Sequence, residues 1–572
     1  MDVDINENSN LTSALSRLMQ LILVGVVFGL VVAFVAHFFV LGVQFFTSFR
    51  GVVAPIQISG FELHYAQFFT LGFVALCIIA IKKNLGIARW HGPADSIHAA
   101  HRTDNELDIK SGLSSTLVAF LSASGGASVG QYGPLVHFGA VIGSALKRFS
   151  RSGISTDIFI GCGVAAAISA GFNAPIAGVI FAHEAIIRHF SLKAIAPIAI
   201  ASCVAAGVTE LFWGGTTLFE IGEFDGDLST LLPIALLLGP FFGVLAVGFM
   251  LSVRRVAAFT ASERFTPAQA VLIAATITAI GGAFVPETLG LGGETVRGAI
   301  GMQYTLAFLF VVLFLKIILT SVCLGMGLFG GIFSPSLVIG AAGGAIALHI
   351  LASLGLDLPG AVGIVICGIA AVSSSVIGAP IAGTIIILEL TGSYEFALLA
   401  MISIVTSVLT SHLLFGNSFF DRQLLDRGID ISSGRTGLEM MERNIETIVH
   451  QDYCCLNPED SSQTAINLLI ESGSTEAYII GPDKSFLGKV ALQTLLKGAP
   501  DGPAMAEKEV DPISIKSDAS LQQAMEIAVD FVGESIPVID RISGRLIGIV
   551  TEADLFRDYL ALQNRVVDLE RR

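Results

Sequence analysis

Four stretches of the chain, 21–46, 231–251, 304–324 and 364–388, are almost unbroken in apolar side chains. Each is near or above the ~18–20 residues that carry a helix across a hydrocarbon core, so each predicts a membrane span. Ahead of the first, residues 11–19 read as a short amphipathic helix leading into it. Residues 1–10 carry three acids and no base, which does not fit a cleavable leader. Beyond about residue 416 no such run remains, and short strand-like segments alternate with amphipathic helical ones. The pattern predicts an all-α polytopic membrane body over 1–435 and a soluble α/β tail over 436–572.

Composition supports that division. Only 14% of residues are charged, against about a quarter in soluble proteins. The net charge of −15, with no basic stripe, excludes a nucleic-acid partner. Seven cysteines show no metal-ligand spacing, so no metal site is expected. No nucleophile–base constellation presents itself, so the chain does not read as an enzyme. Lys82, Lys83, Arg89, Arg102 and Lys110 cluster beside spans and predict a cytoplasmic face. With it go cytoplasmic N- and C-termini and, from the compact tail, a bacterial inner membrane.

The body repeats internally. Ala174-Pro175-Ile176-Ala177-Gly178 returns as Ala379-Pro380-Ile381-Ala382-Gly383, each with a glutamate ten residues after its first alanine, Glu184 and Glu389. Pro134 is followed at +5 and +9 by Gly139 and Gly143, and Pro335 likewise by Gly340 and Gly344. The halves cover about 20–225 and 230–420. Duplicated membrane halves place a substrate site at the midplane, between the N-termini of broken helices. Such ends offer free N–H groups and about half a positive charge, which suits an anion. The candidate ends are Gly130-Gln131-Tyr132-Gly133-Pro134 and Gly330-Gly331-Ile332-Phe333-Ser334-Pro335.

At these residues the sequence resembles the CLC family of chloride channels and chloride–proton antiporters. Gly-Ile-Phe-Ser-Pro (331–335) is similar to the family's Gly-x-Phe-x-Pro anion loop, and Phe172-Asn173-Ala174-Pro175 to a second family motif. The resemblance implies an inverted-repeat membrane fold, a homodimer in lipid with one pathway per subunit, and chloride or another small monovalent anion as ligand. It places Gly130, Gln131, Tyr132, Gly133, Gly331, Ile332, Phe333 and Phe420 at the anion. The departures matter as much. The family's outer loop carries a gating glutamate where this chain has Tyr132. Its inner proton-accepting glutamate maps to Ala185, thirteen residues after Phe172, and Glu184 occupies the preceding acid. Its serine-bearing loop maps to Arg89-Trp90-His91-Gly92-Pro93, with Trp90 or a neighbour at the serine, and its pore tyrosine maps to Phe420.

A carboxylate titrates near pH 4 and a phenol near 10. Tyr132 therefore cannot compete with an anion by charge or carry protons in turn, though its ring can plug a pore and its O–H can donate. The expected function is passive, proton-uncoupled anion movement gated or constricted by Tyr132. The alternatives are an antiporter with another proton route and a non-conducting anion sensor. His183 and Glu184 are open to a proton or a structural role, as His137 is to tuning the site or packing. Lys316 sits mid-span and needs an acid or a water path.

The tail repeats too. Residues 487–495 match 547–555 at an offset of 60. This resembles a tandem cystathionine-β-synthase-type (CBS) pair, over about 440–500 and 505–565. The resemblance implies an adenine nucleotide (ATP, ADP or AMP) at Thr551 and Asp554 of the second copy. The first copy has Ala491 and Thr494 there. A dimerisation platform without ligand is the other reading. No cofactor is required beyond these.

Overall fold

A computed structural model describes residues 3–58, 61–102, 104–149, 154–190, 192–214, 224–262, 264–356 and 358–571. Its chain divides into two compact units, Met1–Gly428 and Ile429–Arg572. The first is helical apart from one small hairpin. Its first half holds α1 (Val3–Val52), strands β1 (Ile56–Ile58) and β2 (Phe61–Leu63), α2 (Ala66–Leu85), α3 (Pro93–His101), α4 (Ile109–Gly125), α5 (Tyr132–Phe149), α6 (Thr156–Phe172), α7 (Pro175–Phe181) and α8 (Leu192–Trp213). A π turn, Ala182–Ile187, continues α7. The second half holds α9 (Leu228–Ala261), α10 (Pro267–Phe284), α11 (Gly293–Ile300), α12 (Leu306–Met326), α13 (Phe333–Ser353), α14 (Val362–Ile377), α15 (Pro380–Thr391), α16 (Tyr394–Phe415) and α17 (Phe419–Leu425). Among the described residues eight helices are long and apolar enough to cross a membrane.

Two expectations are corrected. The apolar run 364–388 is two helices, not one span. Gly378 takes φ +79° and ends α14, and Pro380 sits in the first turn of α15, where its missing N–H costs nothing. Residues 11–19 are not a separate helix either. They hold no glycine or proline, and α1 runs through them unbroken.

The repeated glycines are where backbone meets backbone. A Cβ on Gly139 would lie 2.3 Å from the carbonyl oxygen of Gly163, and one on Gly340 would lie 2.3 Å from that of Gly368. At the +9 position, Gly143 and Gly344 press α5 onto α6 and α13 onto α14 in the same way, with Cβ positions 2.5 Å from Phe159 O and 2.6 Å from Val365 Cα. Small residues let membrane helices approach this closely. Lys316 of α12 is fully buried, and its Nζ donates to the carbonyls of Thr288 and Gly290, both at 3.0 Å. Its partners are thus backbone oxygens on the turn before α11 rather than an acid.

In the second unit α18 (Gly434–Glu442) precedes two similar layers. The first holds β3 (Cys454–Leu456), α19 (Ser462–Ser472), β4 (Glu476–Ile480), β5 (Phe486–Ala491) and α20 (Leu492–Leu495). The second holds β6 (Ile515–Lys516), α21 (Leu521–Ala528), β7 (Ile536–Ile539), β8 (Leu546–Val550) and α22 (Glu552–Arg571). In each sheet the first pair of strands is parallel and the second antiparallel. The layers share a buried polar seam. Lys489 pairs with Glu476 at 2.8 Å, donates to the Ser535 carbonyl at 3.1 Å and lies 4.7 Å from the centre of the Phe531 ring. Tyr478 reaches the Ser535 hydroxyl at 2.6 Å.

Candidate functional site

The two predicted helix starts meet. Gly130 N–H donates to the Gly331 carbonyl and Gly331 N–H to the Gly130 carbonyl, both at 2.7 Å, as one antiparallel bridge between the halves. No side chain fits at this contact: a Cβ on Gly130 would lie 2.8 Å from Ser334 Oγ, and one on Gly331 would lie 3.0 Å from Gly133 N. The bridge sets the N-termini of α5 and α13 side by side. The first N–H groups of each have no partner within their own helix, so both positive ends serve one place.

Tyr132 stands at that place. Its buried ring stacks on Phe172 with centroids 3.9 Å apart and planes 26° apart, and meets Phe333 edge-on at 5.8 Å. Gly171 makes room for it, since a Cβ there would lie 3.0 Å from the ring. On one side the ring borders a cavity of about 500 Å³, walled partly by the half of α1 leading to Val52 and by Gln131, Arg297 and Ser334. On the other side it caps a void of about 20 Å³, room for about one water. Pro93, Gly133, Val136, Phe181, Phe333 and Phe420 are among that void's walls. Among the described residues, no side chain lining the void other than Tyr132 carries a hydroxyl, amide or charge. Gly130, Gln131, Tyr132, Gly133, Gly331, Phe333 and Phe420 thus gather at one seam, while Ile332 is buried with its side chain outside both spaces.

Trp90 is not at the seam. It packs 6.5 Å from Phe329 and under Lys82, and Pro93 is the residue of its loop that lines the void. Two features held no signal in their local patterns: Ser334, inside the motif but unmarked as a donor, and Arg297, a basic residue in an ordinary amphipathic stretch.

Glu184 has a structural partner. Its carboxylate accepts the backbone N–H groups of Ile381 at 3.0 Å and Ala382 at 2.7 Å, at the start of α15. Glu389 returns the contact, accepting Ile176 N–H at 2.9 Å and Ala177 N–H at 2.8 Å at the start of α7. Each half caps a helix of the other, with charge placed where the helix dipole favours it. Glu184→Ala removes the acceptor of two helix-start N–H groups, a cap loss of roughly 0.5–2 kcal/mol in all. We expect its melting temperature in detergent to fall by several degrees, Glu389→Ala to match it, and Glu184→Gln, which keeps one acceptor oxygen, to fall less. An unchanged melting temperature in Glu184→Ala would remove the capping role.

His183 Nδ1 contacts the His189 carbonyl at 2.8 Å and its ring stacks on Phe190. Ala185 is buried in the same π turn, and neither residue lines the void or the larger cavity. His137 Nδ1 meets Ser96 Oγ at 2.7 Å. In the tail, Asp554 is occupied. Its Oδ2 accepts the Thr551 hydroxyl at 2.5 Å, and its Oδ1 faces His450 at 3.2 Å and Arg557 at 3.1 Å. Thr551 accepts the Asp554 N–H in return, so the pair caps α22. Burial alone would raise the Asp554 carboxyl, but Thr551 and His450 hold it below the ordinary range.

The family pattern described as voltage gated chloride channel matches residues 71–412, and that of the CBS domain matches 507–561. A putative chloride channel protein ClcB-like of Ralstonia nicotianae is 28% identical over 348 residues, 58% of this chain and 79% of the relative. An H(+)/Cl(-) exchange transporter ClcA of Vibrio parahaemolyticus is 26% identical over 433 residues, 71% of this chain and 90% of the relative. Among solved structures, a slow cyanobacterial Cl-/H+ antiporter superposes with TM-score 0.62 at 23% identity, covering 72% of this chain and 97% of that one. A eukaryotic CLC transporter superposes with TM-score 0.58 at 18% identity, covering 94% and 98%.

Proposed function

Since the chain belongs to the voltage-gated chloride channel (CLC) family, we propose that it passes chloride and similar monovalent anions passively, uncoupled from protons, with Tyr132 as the gate. It is a multi-pass integral membrane protein that carries a C-terminal CBS domain. The observation that carries the reading is the Tyr132 ring, which fills the seam between the cavity and the apolar void. A neutral phenol does not exchange protons near neutral pH. Ala185 has no group to accept one, and Glu184 has both oxygens committed to α15. A constriction walled by hydrocarbon gates by dewetting, and it favours anions that shed water cheaply, such as nitrate or bromide, over chloride.

The reading includes a homodimer in lipid, with cytoplasmic N- and C-termini in a bacterial inner membrane, and no enzymatic activity. An adenine nucleotide at Thr551 and Asp554 is its regulatory arm. Binding there would exchange the His450 and Arg557 contacts for ribose hydroxyls.

A second reading, chloride–proton exchange by another route, draws on the exchange transporters among the relatives. Purified protein in chloride-loaded liposomes separates the two. With valinomycin present, chloride efflux without any change of external pH supports the passive reading. Protons driven uphill by the chloride gradient would overturn it in favour of exchange.

A further inference from the structure

The cavity above Tyr132 is far larger than a halide needs. At about 500 Å³ it has room for many waters, each with about 30 Å³ of liquid volume. Three residues that line it each carry a buried polar atom with no partner among the described residues: His37 Nε2, Gln131 Oε1 and Ser334 Oγ. Gln131 is 4% exposed and Ser334 3%. Buried polar atoms in folded proteins are nearly all satisfied, so such a cluster marks a place built for a ligand or for water. The same cavity holds a cation. Arg297 is half-exposed, and its pairing partner Glu294 is 90% exposed and free to swing aside. Trp213, stacked on His37 with centroids 3.6 Å apart, forms a further wall.

These groups are complementary to one kind of molecule. A guanidinium and a hydroxyl donor suit a planar carboxylate, while the Gln131 carbonyl oxygen calls for a donor on the ligand's body. We propose that this vestibule binds a small hydroxycarboxylate, its carboxylate at Arg297 and Ser334 and its hydroxyl at Gln131. Bound there it covers Tyr132 and obstructs the pathway. The site shares its vestibule with the proposed pathway, but occupancy is measured without transport, so either idea can fail while the other stands.

Trp213 supplies the readout. The chain has two tryptophans, so Trp90→Phe leaves Trp213 as the sole emitter in the full-length protein. Titration with L-lactate is expected to change its fluorescence saturably, while chloride at equal ionic strength does not. Arg297→Gln should weaken half-saturation at least tenfold. Acetate, which lacks the hydroxyl, should bind the parent at least fivefold more weakly than lactate, and Gln131→Leu should abolish that difference. No saturable change with lactate, the same change with chloride, or a lactate–acetate ratio untouched by Gln131→Leu would each overturn the proposal. Gln131→Leu also keeps the test decisive should Arg297→Gln fail to fold.

Discussion

Cutting Tyr132 back to alanine is expected to raise chloride flux through the reconstituted protein at least tenfold. Among the described residues it is the one that borders both the 500 Å³ cavity and the 20 Å³ void. Removing the ring joins the two spaces, and a tenfold gain asks for only about 1.4 kcal/mol off the barrier. The variant also gives up ring contacts with Phe172 and Phe333 worth about 0.5–1.5 kcal/mol each beyond simple burial, so its folding must be checked by size-exclusion profile first. Tyr132→Phe separates plug from donor. It keeps the stack and loses only the O–H, and its flux should stay within about twofold of the parent, less than half a kcal/mol of barrier. Flux in Tyr132→Ala equal to the parent, measured with a chloride electrode at matched protein content, would mean the ring only packs the loop.

The second large effect is on assembly. Gly139→Leu should leave little folded protein, because the intruding Cβ meets the Gly163 carbonyl at 2.3 Å and backbone cannot step aside as a side chain can. Overpacking against side chains costs about 1–3 kcal/mol, and a clash between two helix backbones exceeds that range. Gly340→Leu should fail equally, since its neighbour Gly368 is just as close. The control lies in the same chain: nothing approaches within 4 Å of a Cβ on Gly248 in α9. Gly248→Leu should therefore elute as the parent does in a fluorescence-detected size-exclusion run. Equal yields from Gly139→Leu and Gly248→Leu would show that the α5–α6 contact relaxes at little cost.

The sequence announced this packing through proline followed by glycine at +5 and +9, because a helix contact that tolerates no side chain leaves a spaced signature. The junction of the two loops was legible for the same reason, since only glycine fits at Gly130 and Gly331. Hydropathy averages across Gly378 and Pro380 and so hides the break in 364–388, although the Ala379-Pro380 motif marks its place. The vestibule was invisible. Its orphaned atoms come from α1, the loop before α5 and the start of α13, and its arginine comes from α11. No local pattern foretells which distant residues share a space. Of Trp90 and its neighbours it is Pro93 that reaches the void, because a loop alignment fixes where the backbone goes but not which side chain turns inward.

Glu184 and Glu389 each secure a helix belonging to the opposite half. Severing the chain between the halves would therefore undo both clasps at once, and neither fragment could close its own short helix without the other beside it.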